Sequence, residues 1–206
     1  MASPAADQAY QLVLRDHIRP LLKAEGFRGS STTWRRESER GDWAIVNLQR
    51  SRQAGRDGIW FTVNLAVVSR PWWEWINEYH GQRPLLPREA SGYWRTRLDA
   101  PDALSAGYRF WWAVHDTASA RACGQDAARQ LARTGIPDLL GRLPRSAQFA
   151  SARAGRFQGV PRRWDQRVPL AILLADDGPS PELDRLAADL ESEGGYEQLV
   201  ARLRNR

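Results

Sequence analysis

Trp43-Ala-Ile-Val-Asn-Leu-Gln-Arg-Ser51 and Ile59-Trp-Phe-Thr-Val-Asn-Leu-Ala-Val67 are the stretches whose reading decides the fold. Both are rich in β-branched and aromatic residues, and Gly and charged residues separate them, so they read as two strands of a hairpin. Side chains alternate across a strand. Val46, Leu48, Phe61, Val63 and Leu65 therefore share one face, and Asn47, Gln49, Ser51, Trp60, Thr62 and Asn64 share the other. The first face belongs in a core. On the second, a buried amide or hydroxyl without a partner costs about 1–3 kcal/mol, so several together imply solvent, a polar network or a ligand.

Outward from the hairpin, Ser3-Pro4 supplies a capping hydroxyl and a first-turn proline. Tyr10, Val13, Leu14, Ile18, Leu21 and Leu22 then recur at helical spacing up to Gly26, with Pro20 placed to bend the helix or split off its last turn. Residues 27–37 alternate and are Thr-rich, reading as a first strand. After the hairpin, Trp72, Trp75, Ile76 and Tyr79 fall on one side of a short helix, a pattern that more often fills a core than holds a ligand. Pro84 to Glu89 is a loop, and the runs 92–98 and 108–114 complete about five strands. From Thr117, read as a helix cap, the pattern is helical, with a break expected at Gly135-Ile-Pro137. Residues 155–167 read as an ordered Arg-rich loop. Pro169 to Asp177 reads as an apolar helix, or alternatively a buried strand, because short apolar runs are ambiguous. Ser180-Pro181-Glu182 opens a further helix that Gly194-Gly195 ends, and Tyr196 to Arg204 forms the last.

The expected fold is therefore α+β: an N-terminal helix on a mainly antiparallel sheet of about five strands, followed by a helical C-terminal third. Residues 1–143 form the α+β domain around the hairpin 43–68, and residues 144–206 a helical extension packed on it as part of one structural domain. A chain of 206 residues is long enough for such a core.

Charge is distributed unevenly. Between Arg142 and Arg167 lie seven arginines and one acid, Asp165, which accounts for the net charge of +6; the rest of the chain is neutral. No apolar run approaches the roughly 20 residues that span a bilayer, and the N-terminus lacks a basic region followed by an apolar core, so a cytoplasmic protein is expected. One cysteine, Cys123, excludes an intramolecular disulfide framework, and the three histidines at 17, 80 and 115 make no spaced metal cluster.

The motif order resembles a known family. Glu25-Gly26-Phe27 closes a helix, Trp34-Arg35-Arg36 follows in a strand, and then come Asn47-Leu-Gln49-Arg-Ser51, Phe61-Thr-Val-Asn64-Leu, Trp111-Trp112 and Leu131-Ala-Arg-Thr-Gly135-Ile-Pro137. Over roughly residues 8 to 140 this set resembles the bacterial domain-of-unknown-function family numbered 4304. Ala66 stands where that resemblance leads one to expect glycine. The resemblance implies an architecture and no settled activity.

No phosphate-binding glycine loop, Gly-x-Ser-x-Gly elbow or His-Glu-x-x-His helix is present. His80, His115-Asp116 and Asp176 or Asp177 follow the order of His-Asp phosphohydrolase ligands, but His115-Asp116 ends a strand where those ligands need helices. Cys123 reads as a core thiol. The candidate site residues are thus Asn47, Gln49, Ser51, Trp60, Thr62 and Asn64 on the polar face, Arg95 and Arg97 from a neighbouring strand, and Arg162 and Arg163, with Arg156, from the basic loop. Arginines there would offer bidentate donors to phosphate or carboxylate. The first reading is a non-catalytic binding protein that recognises a protein partner, without cofactor or metal. The second is a small enzyme or ligand-binding module for an anionic metabolite, and the third, weaker because the charge outside one loop is balanced, is nucleic-acid binding.

Overall fold

Pro4–Leu12 forms α1, and the helix then widens into a π turn over Val13–Ile18 before resuming as α2, Arg19–Ala24, with Pro20 in its first turn. The wider turn shifts the hydrogen-bond register ahead of a residue that has no N–H to give, so the proline is absorbed rather than ending the helix. Gly26, at φ 78°, and the bond from the Phe27 amide to the Leu22 carbonyl at 2.8 Å close it as the sequence implies. A computed structural model describes residues 4–51, 58–162 and 164–204; Ser3, read as the first cap, and Arg163 lie outside them.

Among the described residues the sheet has six strands, all antiparallel: β1 (Arg28–Ser30), β2 (Thr33–Glu37), β3 (Trp43–Arg50), β4 (Ile59–Val68), β5 (Trp94–Arg97) and β6 (Trp112–Val114). The order is β1-β2-β3-β4, and the far edge of β4 is shared, by β5 along Asn64–Val67 and by β6 along Ile59–Phe61. The single strand expected over 27–37 is two strands, because Ser31, at φ 44°, folds the chain back on itself. The strand expected over 108–114 shortens to its last three residues.

The inner face of the hairpin is as expected. Val46, Leu48, Phe61, Val63 and Leu65 are buried, Phe61 stacks on Trp112 at 5.4 Å and meets Tyr10 of α1 at 5.6 Å. α1, α4 (Thr117–Gln130) and α5 (Ile136–Arg142) cover this face. α4 is capped by Asp116 rather than Thr117: the Asp116 carboxylate accepts from the Ser119 amide at 2.8 Å, and the Ser119 hydroxyl accepts from the Asp116 amide at 3.0 Å. Nor does Gly135 end the helix. A second π turn, Leu131–Gly135, precedes Pro137 as the first precedes Pro20, and the chain runs on into α5.

α3 (Arg70–Tyr79) buries Trp72 and Trp75. Beyond α6 (Arg145–Arg153), α7 (Val168–Asp177) is a helix and not a strand. It packs against α3, α6, α8 (Pro181–Glu193) and α9 (Glu197–Arg204), which is why Val168 through Ala175 are all buried and show no polar face. The loop between α6 and α7 is pinned by two rings: Phe157 stacks on Tyr93 at 4.6 Å, and Trp164 meets Tyr79 at 4.7 Å. One hydrophobic core runs from α1 through the sheet to α9. No helix among the described residues is long and apolar enough to cross a membrane.

Candidate functional site

Four residues lie directly opposite one another across four strands: Thr33, Asn47, Asn64 and Arg97. They are joined by hydrogen bonds that all run one way. Arg97 Nε donates to Asn64 Oδ1 at 2.8 Å, Asn64 Nδ2 to Asn47 Oδ1 at 3.0 Å, and Asn47 Nδ2 to Thr33 Oγ1 at 2.9 Å. Asn64 Nδ2 also reaches Gln49 Oε1 at 3.2 Å. Each group that donates is polarised by the bond it accepts, so the chain is stronger than its separate bonds. The ladder is therefore a satisfied network, and it holds the Arg97 side chain by its Nε while Arg97 stays exposed.

The neighbouring row, Arg35, Ile45, Ala66 and Arg95, is covered at its centre. The loop after α3 crosses it: Arg35 Nε donates to the Pro87 carbonyl at 2.8 Å, and Gly92 lies so close to Ala66 that a Cβ at Gly92 would stand 2.9 Å from the alanine methyl. A small residue is required at position 66 for that reason. Ile45, Ala66 and Val68 form a second apolar cluster with Trp43 and Trp73, whose rings meet at 5.3 Å. The outer face is thus apolar and covered at one end, polar and open at the other.

The open end is a groove of about 560 Å³ lined by Gln49, Asn64, Glu89, Arg95, Arg97 and Phe110, among others, with Gln158 at its edge. Arg95 Nε contacts Gln158 Oε1 at 3.4 Å, and neither Arg95 nor Arg97 is paired with a carboxylate among the described residues. Of the other expected site residues, Thr62 is fully buried with its hydroxyl unpartnered, and Trp60 is half-buried against Tyr108 at 5.9 Å. Ser51 is half-buried and bonds through its amide to the Trp60 carbonyl at 2.8 Å. Arg162 is exposed on the turn after Pro161 and does not line the groove.

Residues with nucleophile or ligand chemistry lie elsewhere and are engaged. Asp116 caps α4, Asp176 pairs with Arg70 and Arg145, and Asp177 with Arg40. Cys123 is buried, and its thiol is pushed up to about 11 by desolvation and then by Asp126. Among the described residues no three His, Cys, Asp or Glu side chains group to hold a metal ion.

A family model described as a domain of unknown function, DUF4304, matches residues 18–139. The chain belongs to this family. No curated protein and no solved structure matches it. The DUF4304 region contains the whole four-residue ladder together with Arg95, Glu89 and Phe110, whereas Gln158 and Arg162 follow it. Thr33 and Gln158 were not legible as site residues. Thr33 joins the ladder only because the turn at Ser31 sets the register of β2, and Gln158 is delivered by the neighbouring Phe157 stack.

Proposed function

We propose that this DUF4304 protein is a cytoplasmic, non-catalytic binding protein that recognises an acidic segment of another protein through the open end of its outer sheet face. The reading rests on the ladder that runs from Arg97 to Thr33. The amide oxygens of Asn47, Gln49 and Asn64 each already accept a hydrogen bond, and the two guanidinium groups lining the groove, Arg97 and Arg95, outnumber its one carboxylate, Glu89. Paired, planar donors on one strand face match carboxylates of a partner chain. Apolar side chains accompany the groove. Phe110 lines it, Tyr108 beside Trp60 is 60% exposed, and the loop that crosses the sheet carries Leu85, 96% exposed, and Leu86, 53% exposed. An aromatic side chain beside paired arginines is a composition that suits protein recognition. Among the described residues that line the groove, the one carboxylate, Glu89, is accompanied by no Ser, Cys or His, which favours binding over catalysis.

The test is affinity capture with cross-linking from the source cells, using the wild type, Arg95→Glu/Arg97→Glu and, as a control on the exposed side of α4, Arg121→Glu. A partner retained by the wild type and the control but lost by the double reversal supports the reading. An identical set of captured proteins for all three overturns it.

A further inference from the structure

On the other side of β5 from the polar face lies a second groove, of about 900 Å³, between that strand and the helices α5 and α6. We propose that it is a separate site for a small organic molecule carrying a phosphate monoester, with Arg142 and Arg156 as the groups that hold the phosphate.

Arg142 is built into the wall. Its guanidinium lies over the Trp94 ring at 4.4 Å, and its carbonyl accepts from the buried Tyr93 hydroxyl at 2.6 Å, which fixes the backbone from which the side chain springs. Stacking on an indole holds a guanidinium in place in advance, and Arg142 lines the groove beside that ring. Its Nε is buried without a partner. Arg156 is exposed just after the turn that ends α6 and lines the same groove as Ser151. The nearby arginines behave differently: Arg145 pairs with Asp176 at 3.0 Å and Arg153 with Glu182 at 2.8 Å, while neither Arg142 nor Arg156 pairs with a carboxylate among the described residues. The one acid lining the groove is Asp138. A dianionic head between two guanidiniums, with a hydroxyl to complete its hydrogen bonds, suits that donor set, and the volume is in the range of small-molecule sites. Gln158 lines both this groove and the first, its backbone N–H donating to the Tyr93 carbonyl at 2.7 Å, so the two sites are neighbours with different arginines.

Isothermal titration and thermal shift of the full chain with inorganic phosphate, glucose 6-phosphate and adenosine monophosphate test this. The expected result is saturable binding of at least one organic phosphate at millimolar concentration or below, a Tm raised by several degrees near saturation, and at least tenfold weaker binding in Arg156→Gln. Arg142→Gln should act likewise, and Arg156→Gln, at an exposed position, keeps the test meaningful if Arg142→Gln fails to fold. Arg95→Gln/Arg97→Gln should leave the affinity unchanged, which separates this site from the protein-binding face. Absence of binding by all three probes, or binding that survives in Arg142→Gln/Arg156→Gln, overturns the proposal.

Discussion

Asp42 and Gln148, 106 residues apart in the chain, meet in the interior through a 2.8 Å hydrogen bond from Gln148 Nε2, and both are closed to solvent. Asp42 also accepts from the Arg70 amide at 2.8 Å and lies 3.7 Å from Arg145, which in turn pairs with Asp176 at 3.0 Å. This network ties the strand β3 and helix α3 to α6 and α7. Removing one member of a buried ion pair leaves a charge without compensation. Arg145→Ala is expected to cost about 3–5 kcal/mol in urea unfolding, and Arg145→Met also destabilises, since it too removes the charge facing Asp42 and Asp176.

A chain ending at Leu143 should not fold as a stable unit, although it contains the whole family match. It loses Gln148 and Arg145, two of the partners of Asp42, and uncovers Trp72 and Trp75, which pack against Trp164. The expected result is an insoluble product, or one without a cooperative unfolding transition by circular dichroism.

The ladder predicts coupling. Asn64→Ala should destabilise by about 1–3 kcal/mol, since it leaves Arg97, Asn47 and Gln49 short of a partner each. In a double-mutant cycle with Arg97→Ala, a coupling of about 0.5 kcal/mol or more is expected, and additive effects would show that the bond between them contributes nothing.

Cys123 should react slowly with iodoacetamide in the folded protein at pH 8 and rapidly in urea, because its thiol holds its proton to about 11. The unfolded chain's thiol ionises near 9.0, so the unfolded state releases the proton first. The contribution to stability is complete below pH 9 and is lost as pH rises toward 11. Cys123→Ala should flatten that part of the pH–stability profile.

Gly92→Ala should destabilise by about 1–3 kcal/mol, because the added methyl would lie 2.8 Å from the Trp94 carbonyl and 2.9 Å from the Ala66 methyl. Ala66→Gly should recover part of the loss and not all, since the carbonyl contact persists. Equal unfolding midpoints for wild type and Gly92→Ala would show that the crossing loop moves freely.

Much of the architecture was written in local pattern. The alternation in 43–51 and 59–67 gave the hairpin and its two faces, and Gly26, Ser180 and Gly194 marked helix ends by capping chemistry that acts within a few residues. Where the reading failed, the deciding contact was remote or unusual. Gly135 looked like a break, and a π turn carried the helix past it. Residues 27–37 alternate as one strand would, and the turn at Ser31 divides them.

The sequence by itself determined which side chains share a face, because a strand's period of two is a property of the backbone. It thereby named Asn47, Gln49 and Asn64 together. Only the tertiary structure decided what those amides do, since their partners Thr33 and Arg97 arrive from strands whose register depends on distant turns. It also decided where the basic loop lies: rings at Phe157 and Trp164 hold it against Tyr93 and α3, and so Gln158 rather than Arg162 reaches the groove. Hydrophobic burial over long sequence separations fixed that placement, and no local period encodes it.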